Sequence, residues 1–269
     1  MKAVAVIPTY NERENIRPLL EQIHQSAPDL DVLIVDDNSP DGTGQVAEQM
    51  RREGDGRLFV LHRLRKEGLG RAYVAGFKHV LERSYEVFVQ MDGDLSHDPV
   101  YVPALLERAT GADLVLGSRY LHGISVVNWD LKRLLLSKAA AWYVRLITGM
   151  PFTDPTGGFK CWRREALEAV GLDEVFSNGY LFQIEMTYRA FRRGLQVVEV
   201  PIVFFERNLG RSKLDVKVIR EACWGVVKLG LSRPRDSKSK SYRRVTPAAR
   251  PVGSARGELH VRLRRRQAG

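Results

Sequence analysis

Apolar positions in the first 120 residues come in short runs, each followed by a polar turn and then by a stretch with helical spacing. Lys2–Ile7 is a β-rich run, and a helix is expected from about Glu12 to Ser26. Asp31–Val35 is the next strand, nearly all apolar, as suits a strand covered on both faces. Helix Thr43–Arg52, strand Leu58–Leu61, helix Leu69–Leu81, strand Val87–Met91, helix Pro99–Ala109 and strand Asp113–Leu116 continue the series. This alternation predicts an α/β fold with a mostly parallel sheet and helices on both faces. Ligands of such sheets gather beyond the carboxyl ends of the strands, and the polar clusters after Ile7, Val35, Met91 and Gly117 fall there.

The second half has a different rhythm. Trp129–Leu146 reads as one long amphipathic helix presenting Leu131, Leu134, Leu135, Trp142 and Leu146, with Lys132, Arg133 and Lys138 breaking its surface. Packing against the sheet is the first expectation for it, and a helix lying on a bilayer surface is the alternative. A Gly/Pro/Thr-rich loop (Pro151–Phe159), helices around Arg163–Val170 and Tyr180–Arg193, a strand at Gln196–Val200 and an amphipathic helix over Leu214–Leu231 follow. Residues 1–231 therefore read as one domain, with a ligand-binding half to about residue 120 and a second half from 121.

Charge changes the picture only at the end of the chain. The net charge of +10 resides wholly in Ser232–Gly269, which carries twelve Lys/Arg against two Asp/Glu and leaves thirty of each sign in the first 231 residues. This tail is too poor in large apolar residues to offset the entropy of ordering, so it is expected to be disordered. A solvated extension, attraction to an anionic membrane surface and nucleic-acid binding are its three readings, and no recognition module supports the last. The neutral body argues against a nucleic-acid-binding protein altogether. No signal peptide is expected, since Met1–Pro8 meets polar residues at once. No transmembrane helix is expected either, because charges interrupt the best candidates. Cys161 and Cys223 make no disulfide framework, and a reducing setting is the plain expectation.

The candidate chemistry sits at the strand ends. Asp92-Gly93-Asp94 follows an apolar strand, and two carboxylates one residue apart can turn toward a hard divalent cation shared with substrate phosphates. Leu33–Asp37 also ends in paired acids; Asp37 is placed to accept from a ribose or base, while Asp41 or Thr43 caps the next helix. After the first strand, Tyr10 can stack a base and Glu12 can bind its edge. Neither GxGxxG nor GxxxxGK[ST] occurs there, but Lys66-Glu-Gly-Leu-Gly70 offers backbone N–H groups and a cation to phosphate oxygens. Arg119 follows a buried strand at the ligand edge. His97, beside the acidic pair, reads as a cap-region side chain.

IPTYNE, VDDNSPDGT, KEGLGRAYVAGF, MDGDLSHDP and GSRY, in this order, resemble family 2 glycosyltransferases of the GT-A fold. WDLKRLLLSKAAAW, DPTGGFKCWRREAL, GYLFQIEM and ERNLGRSKL are similar to the polyprenyl-phosphate (dolichyl-phosphate) mannose synthases within it. The resemblance spans about Met1–Leu231. It implies a peripheral enzyme on the cytoplasmic face of a membrane, docked to the lipid surface or to a membrane-protein partner. The implied reaction is inverting transfer of mannose from GDP-mannose to a polyprenyl monophosphate, with Mg²⁺ or Mn²⁺. UDP-glucose as donor is the runner-up.

Matched motif by motif, the resemblance implies that Pro8, Tyr10, Glu12, Val35 and Asp37 line the nucleoside pocket. Asp92, Gly93 and Asp94 meet the diphosphate, sugar and cation. Ser96 stands where some relatives carry a further metal ligand, Gln. Arg207 and Lys213 resemble the basic pair over the donor phosphates, and Arg119, Arg133 and Ser137 the group that grips the acceptor phosphate. A lipid monophosphate is already anionic near neutral pH, so no dedicated catalytic base is expected.

Overall fold

The computed structural model describes residues 1–205 and 216–231. Its elements run β1 (Ala3–Thr9), α1 (Arg13–Ser26), β2 (Asp31–Asp36), α2 (Thr43–Glu53), β3 (Leu58–His62), α3 (Leu69–Leu81), β4 (Val87–Gln90), α4 (Val102–Ala109) and β5 (Leu114–Ser118). The second half adds β6 (Val126–Val127), α5 (Leu131–Thr148), β7 (Lys160–Arg163), α6 (Arg164–Ala169), α7 (Gly179–Arg192), β8 (Val197–Pro201), β9 (Phe204–Phe205) and α8 (Val216–Leu231). The first nine elements match the expected alternation to within one to three residues at their ends, and a 3₁₀ turn (Pro99–Tyr101) leads into α4.

Seven strands form one sheet in the order β3-β2-β1-β4-β7-β5-β8, and β6 pairs with β9 beside it. All neighbours in the large sheet run parallel except β7, which is antiparallel to both β4 and β5. The strand order reverses at β1, which has β2 on one side and β4 on the other. Side chains alternate between two cores as the strand period of two requires. Val4, Val6, Leu33, Val35, Phe88 and Trp162 face one core, which Tyr73 and Phe77 of α3 and Phe182 of α7 complete. Ala5, Ile7, Ile34, Val89 and Cys161 face the other, with Ile16 and Leu19 of α1 and Leu105 of α4. Burial pushes the Cys161 thiol up, whereas Cys223 is exposed.

Helix α3 lies so close to the sheet that a Cβ on Gly76 would come within 2.6 Å of Val6 Cγ1 and 2.8 Å of Val35 Cγ2. Alanine would gain about 0.5–1 kcal/mol of helix preference but overpack by about 1–3 kcal/mol. Gly76→Ala is therefore expected to lower stability in a denaturant titration, and a rise would contradict this packing.

Strand β7 is a correction to the expected order of elements, in which Lys160–Trp162 belonged to no strand. Four residues with a lysine first do not read as a buried strand, yet Lys160, Cys161 and Trp162 are all buried. Helix α5 is a second correction. It starts at Leu131, not Trp129, because the Asp130 side chain accepts from Arg133 N at 2.7 Å as its N-cap, and it ends on left-handed Gly149.

Only Ala141, Val144 and Thr148 of α5 are buried, while Leu131, Leu135, Leu136, Trp142 and Leu146 are exposed. Packing against the sheet, the first expectation for this helix, is met only along a narrow edge, where Val144 joins the core that holds Leu114, Leu116 and Trp162. Its partner is α8, where Val226 and Leu229 are buried and Trp224 and Leu231 exposed. Tyr143 Oη donates to the Cys223 carbonyl at 3.1 Å, tying the two helices. No helix among the described residues is long and apolar enough to cross a membrane.

Candidate active site

β1 and β4 end side by side at the point where strand order reverses, the place where open α/β sheets bind ligands. The chain after β4 turns tightly against the end of β1: a Cβ on Gly93 would lie 3.2 Å from Thr9 Cγ2 and 3.3 Å from the Pro8 carbonyl. Leu95 then adopts a left-handed conformation (φ 63°), which costs a non-glycine residue about 1 kcal/mol or more. Side-chain acceptors help to hold this turn. Ser96 N donates to Asp94 Oδ1 at 3.0 Å, and Asp92 N donates to His97 Nδ1 at 3.0 Å.

The second bond revises the place of His97. A backbone N–H can only donate, so Nδ1 accepts, and the imidazole holds the Asp92 backbone from inside the motif rather than capping the next helix. The ring is buried, stacked on Phe159 at 5.0 Å and edge-on to Phe204 at 5.6 Å. The helix start belongs instead to Asp98, which accepts from Val100 N at 3.0 Å. Asp92 Oδ1 accepts from Tyr73 Oη at 2.9 Å. Burial, and after it Asp92, pushes the Tyr73 phenol well above its ordinary pKa, so it remains a donor.

The donor set suits a divalent cation. Asp92 and Asp94 offer carboxylate oxygens at a strand end, Asp94 is 5% exposed, and the glycine between them lets backbone and ligand approach closely. Two carboxylates leave room for phosphate oxygens and water, the sphere Mg²⁺ or Mn²⁺ favours. No group of three or more His, Cys, Asp or Glu that could hold a metal stands together among the described residues.

Of the residues expected to line a nucleoside pocket, Pro8 and Val35 are buried strand residues. Tyr10 carries Lys66 Nζ over its ring, 3.5 Å from the centroid, so the KEGLG segment reaches the first strand's end. Glu12 accepts from Asn15 Nδ2 at 2.7 Å and stands at the start of α1. Asp37 is paired with Arg63, yet burial lifts its carboxyl above the usual range against that pull. Asp41 accepts from Thr43 N at 3.0 Å just before α2, but the N-cap of that helix is left-handed Gly42 and not the expected Asp41 or Thr43.

Arg119, Arg133 and Ser137 are brought together beyond β5. Arg119 clasps Asp154 through Nε (2.6 Å) and Nη2 (2.7 Å), and Nη2 also donates to Thr156 Oγ1 at 2.9 Å. Burial raises the Asp154 carboxyl, but Arg119 outweighs it and holds the pKa below the ordinary value. The guanidinium sits among Tyr120, Trp129 and Phe204, and Arg133 also lies against Trp129, 4.5 Å from its ring centroid. Tyr120 Oη donates to Ser137 Oγ at 2.7 Å. Arg207 and Lys213 lie outside the described residues.

Sequence reasoning assigned no role to Asp154, Thr156, Lys160 or Gln183. Asp154's loop is pinned by Glu199, whose carboxylate accepts from Thr153 N, Thr153 Oγ1 and Asp154 N at 2.7–3.1 Å. Gly157 and Gly158 carry the same loop from Asp154 to Asp92: a Cβ on Gly157 would lie 3.6 Å from Asp154 Oδ2, and one on Gly158 3.4 Å from Asp92 Oδ2. Beneath it Lys160 is fully buried, and desolvation, despite Asp154 and Asp92, pushes its pKa down to about 7. The DPTGGFK run was the available signal, since paired glycines between an acid and a lysine mark a close backbone approach.

Against this geometry, residues 4–171 match the family model described as glycosyl transferase family 2. This chain belongs to glycosyltransferase family 2. The glycosyltransferase is 47% identical over 231 residues to the polyprenol monophosphomannose synthase of Mycolicibacterium smegmatis, covering 86% of this chain and 87% of that one. It is 46% identical over 232 residues to the undecaprenyl-phosphate mannosyltransferase of Micrococcus luteus, covering 86% and 95%. Among solved structures, glucosyl-3-phosphoglycerate synthase from Mycobacterium tuberculosis, in complex with Mn²⁺, uridine diphosphate and phosphoglyceric acid, superposes with a TM-score of 0.63. The match covers 87% of the glycosyltransferase and 80% of that chain at 18% identity, a likeness of fold alone. The α/β architecture expected from the strand and helix alternation is therefore that of the GT-A fold.

Proposed function

We propose that this glycosyltransferase transfers mannose, with inversion, from GDP-mannose to a polyprenyl monophosphate, and works on the cytoplasmic face of a membrane without spanning it. One observation carries the reading. A glycine loop joins the carboxylates after β4 to a buried Arg119–Asp154 pair, and that pair adjoins a helix whose apolar side chains face solvent. The family relationship and the names of its mannosyl-transferring relatives support it.

Asp92 and Asp94 would hold the divalent cation, which supplies Lewis-acid neutralisation of the departing diphosphate when bound. Tyr73 and His97 keep Asp92 in place, the first through its carboxylate and the second through its backbone. Arg133 and Ser137 would meet the acceptor phosphate, and Arg119 is positioned beside them by Asp154. A phosphate oxygen of the acceptor bonds to the anomeric carbon as the bond to the diphosphate breaks, and GDP leaves with the electron pair. The acceptor oxygen carries no proton, so no base is required. Compensating the charge of two anions is the main task, and preorganised charge is often the largest catalytic term.

Incubation with Mg²⁺ or Mn²⁺, a polyprenyl phosphate and either GDP-mannose or UDP-glucose tests the reading. Product from GDP-mannose alone is expected, product from UDP-glucose alone would replace the donor, and product from neither would overturn the proposal.

The exposed apolar faces of α5 and α8 are proposed to rest on the lipid surface. Trp142 is 63% exposed and Leu146 62%. Trp142→Glu with Leu146→Glu is expected to lower flotation with anionic liposomes at least tenfold, since each side chain contributes roughly 1.5–3 kcal/mol on leaving water. Equal flotation of variant and parent would rule this face out.

A further inference from the structure

The two sites of the proposed reaction are built on strands that are not neighbours. Asp92 and Asp94 follow β4, Arg119 follows β5, and β7 lies between those strands. Displacement at the anomeric carbon depends on how the two bound substrates face each other, and a misplacement of about 1 Å costs about 100-fold in rate.

Strand β9 spans the two sites with its backbone. Phe205 N donates to the Ser96 carbonyl at 3.3 Å, inside the turn that carries Asp94. Phe204 N donates to the Ser125 carbonyl at 2.9 Å, and Ser125 N in turn donates to the Arg119 carbonyl at 3.0 Å. β9 also pairs with Val126 and Val127, just before Trp129.

The half-buried Phe204 ring repeats the connection. His97, whose Nδ1 accepts from Asp92 N, meets it edge-on at 5.6 Å with the ring planes 75° apart. Trp129 meets it in the same manner, at 5.5 Å and 75°. The Arg119 guanidinium carbon lies 5.4 Å from its centroid. Edge-to-face contacts favour one mutual angle, and a cation is drawn to a ring's face. One side chain therefore sets where the imidazole behind Asp92 stands relative to Arg119 and to the indole against Arg133. An aliphatic residue would fill the same space with no preferred angle.

We infer that Phe204 is a positioning residue that aligns the donor held by Asp92 and Asp94 with the acceptor phosphate at Arg119, Arg133 and Ser137. It acts through His97 on one side and through Arg119 and Trp129 on the other. The inference rests on the proposed donor and acceptor sites and adds the device that sets their relative position. Because it works through other side chains, Phe204 contributes to turnover and not to the affinity for either substrate.

The test compares the full-length parent with Phe204→Leu, which keeps apolar bulk but removes the ring, and with Phe204→Tyr, which keeps the ring. Calorimetric titration with GDP and Mn²⁺ gives the affinity and the number of GDP sites per chain. Transfer from GDP-mannose to a polyprenyl phosphate gives kcat per site and both KM values. Phe204→Leu is expected to lose about 10- to 100-fold in kcat per site, with GDP affinity and both KM values within about threefold of the parent. Phe204→Tyr is expected to recover most of that rate. A variant that merely folds less well would show fewer GDP sites per chain with parental turnover at each, and that result would overturn the inference. So would a rise in one KM alone, unchanged turnover in Phe204→Leu, or an equal loss in Phe204→Tyr, each leaving the mannosyl reading intact. Absence of product from the parent protein would remove both.

Discussion

Asp94→Asn is expected to cut turnover about 10³-fold while leaving the protein folded. Asp94 is nearly buried, and the oxygen that accepts from Ser96 N survives in asparagine, so the turn after β4 keeps its backbone bond. What is lost is half of the negative charge that faces the cation and diphosphate. Nucleotide binding measured calorimetrically with and without Mn²⁺ separates the two effects: metal-dependent affinity should disappear and the unfolding temperature should stay close to that of the parent. Turnover within tenfold of the parent would show that Asp92 suffices and that Asp94 is structural.

Asp154→Asn is expected to have the largest effect on stability, about 3 kcal/mol or more, which for a folded unit of this size is a fall of roughly 6–12 °C in Tm. The Arg119 guanidinium would remain buried with its bidentate partner discharged. The carboxyl pKa of Asp154 is depressed in the folded protein, so its contribution is present above the ordinary value of 3.8 and is lost as pH falls from there through the folded value. The acid limb of unfolding should therefore be shallower in Asp154→Asn. Replacing both partners by apolar residues, Arg119→Met with Asp154→Leu, is expected to recover most of the stability but none of the activity. Recovery of both would deny Arg119 a part in catalysis.

How far the sequence carries depends on what each residue's neighbours are. β1, β2, β4 and β5 were readable because their apolar runs end in turn residues, and that alone places Asp92, Asp94, Pro8 and Val35 at one sheet edge. Lys160 hid β7, since a charged residue inside a four-residue run erases the pattern. The exposed leucines of α5 were misjudged because leucines at helical spacing look the same whether they meet a sheet, a bilayer or water. The clasp of Arg119 by Asp154 spans 35 residues and follows no local rule. His97 was visible, but nothing in its neighbours says that the ring points back to accept from Asp92 N.

The reversed strand β7 has a consequence for how the chain comes to be folded. β4 and β5 are made early, yet neither has its partner on the shared side until Arg163 has been synthesised, some seventy residues after β4. Until then β4 is open along one edge and β5 along both, since β8 is made later still, and open edges with apolar faces pair with other chains. When β7 does slot in, it joins β4, which leads to Asp92, and β5, which leads to Arg119, into one continuous ladder. Premature termination anywhere between residues 120 and 160 should accordingly yield aggregation rather than a smaller nucleotide-binding domain.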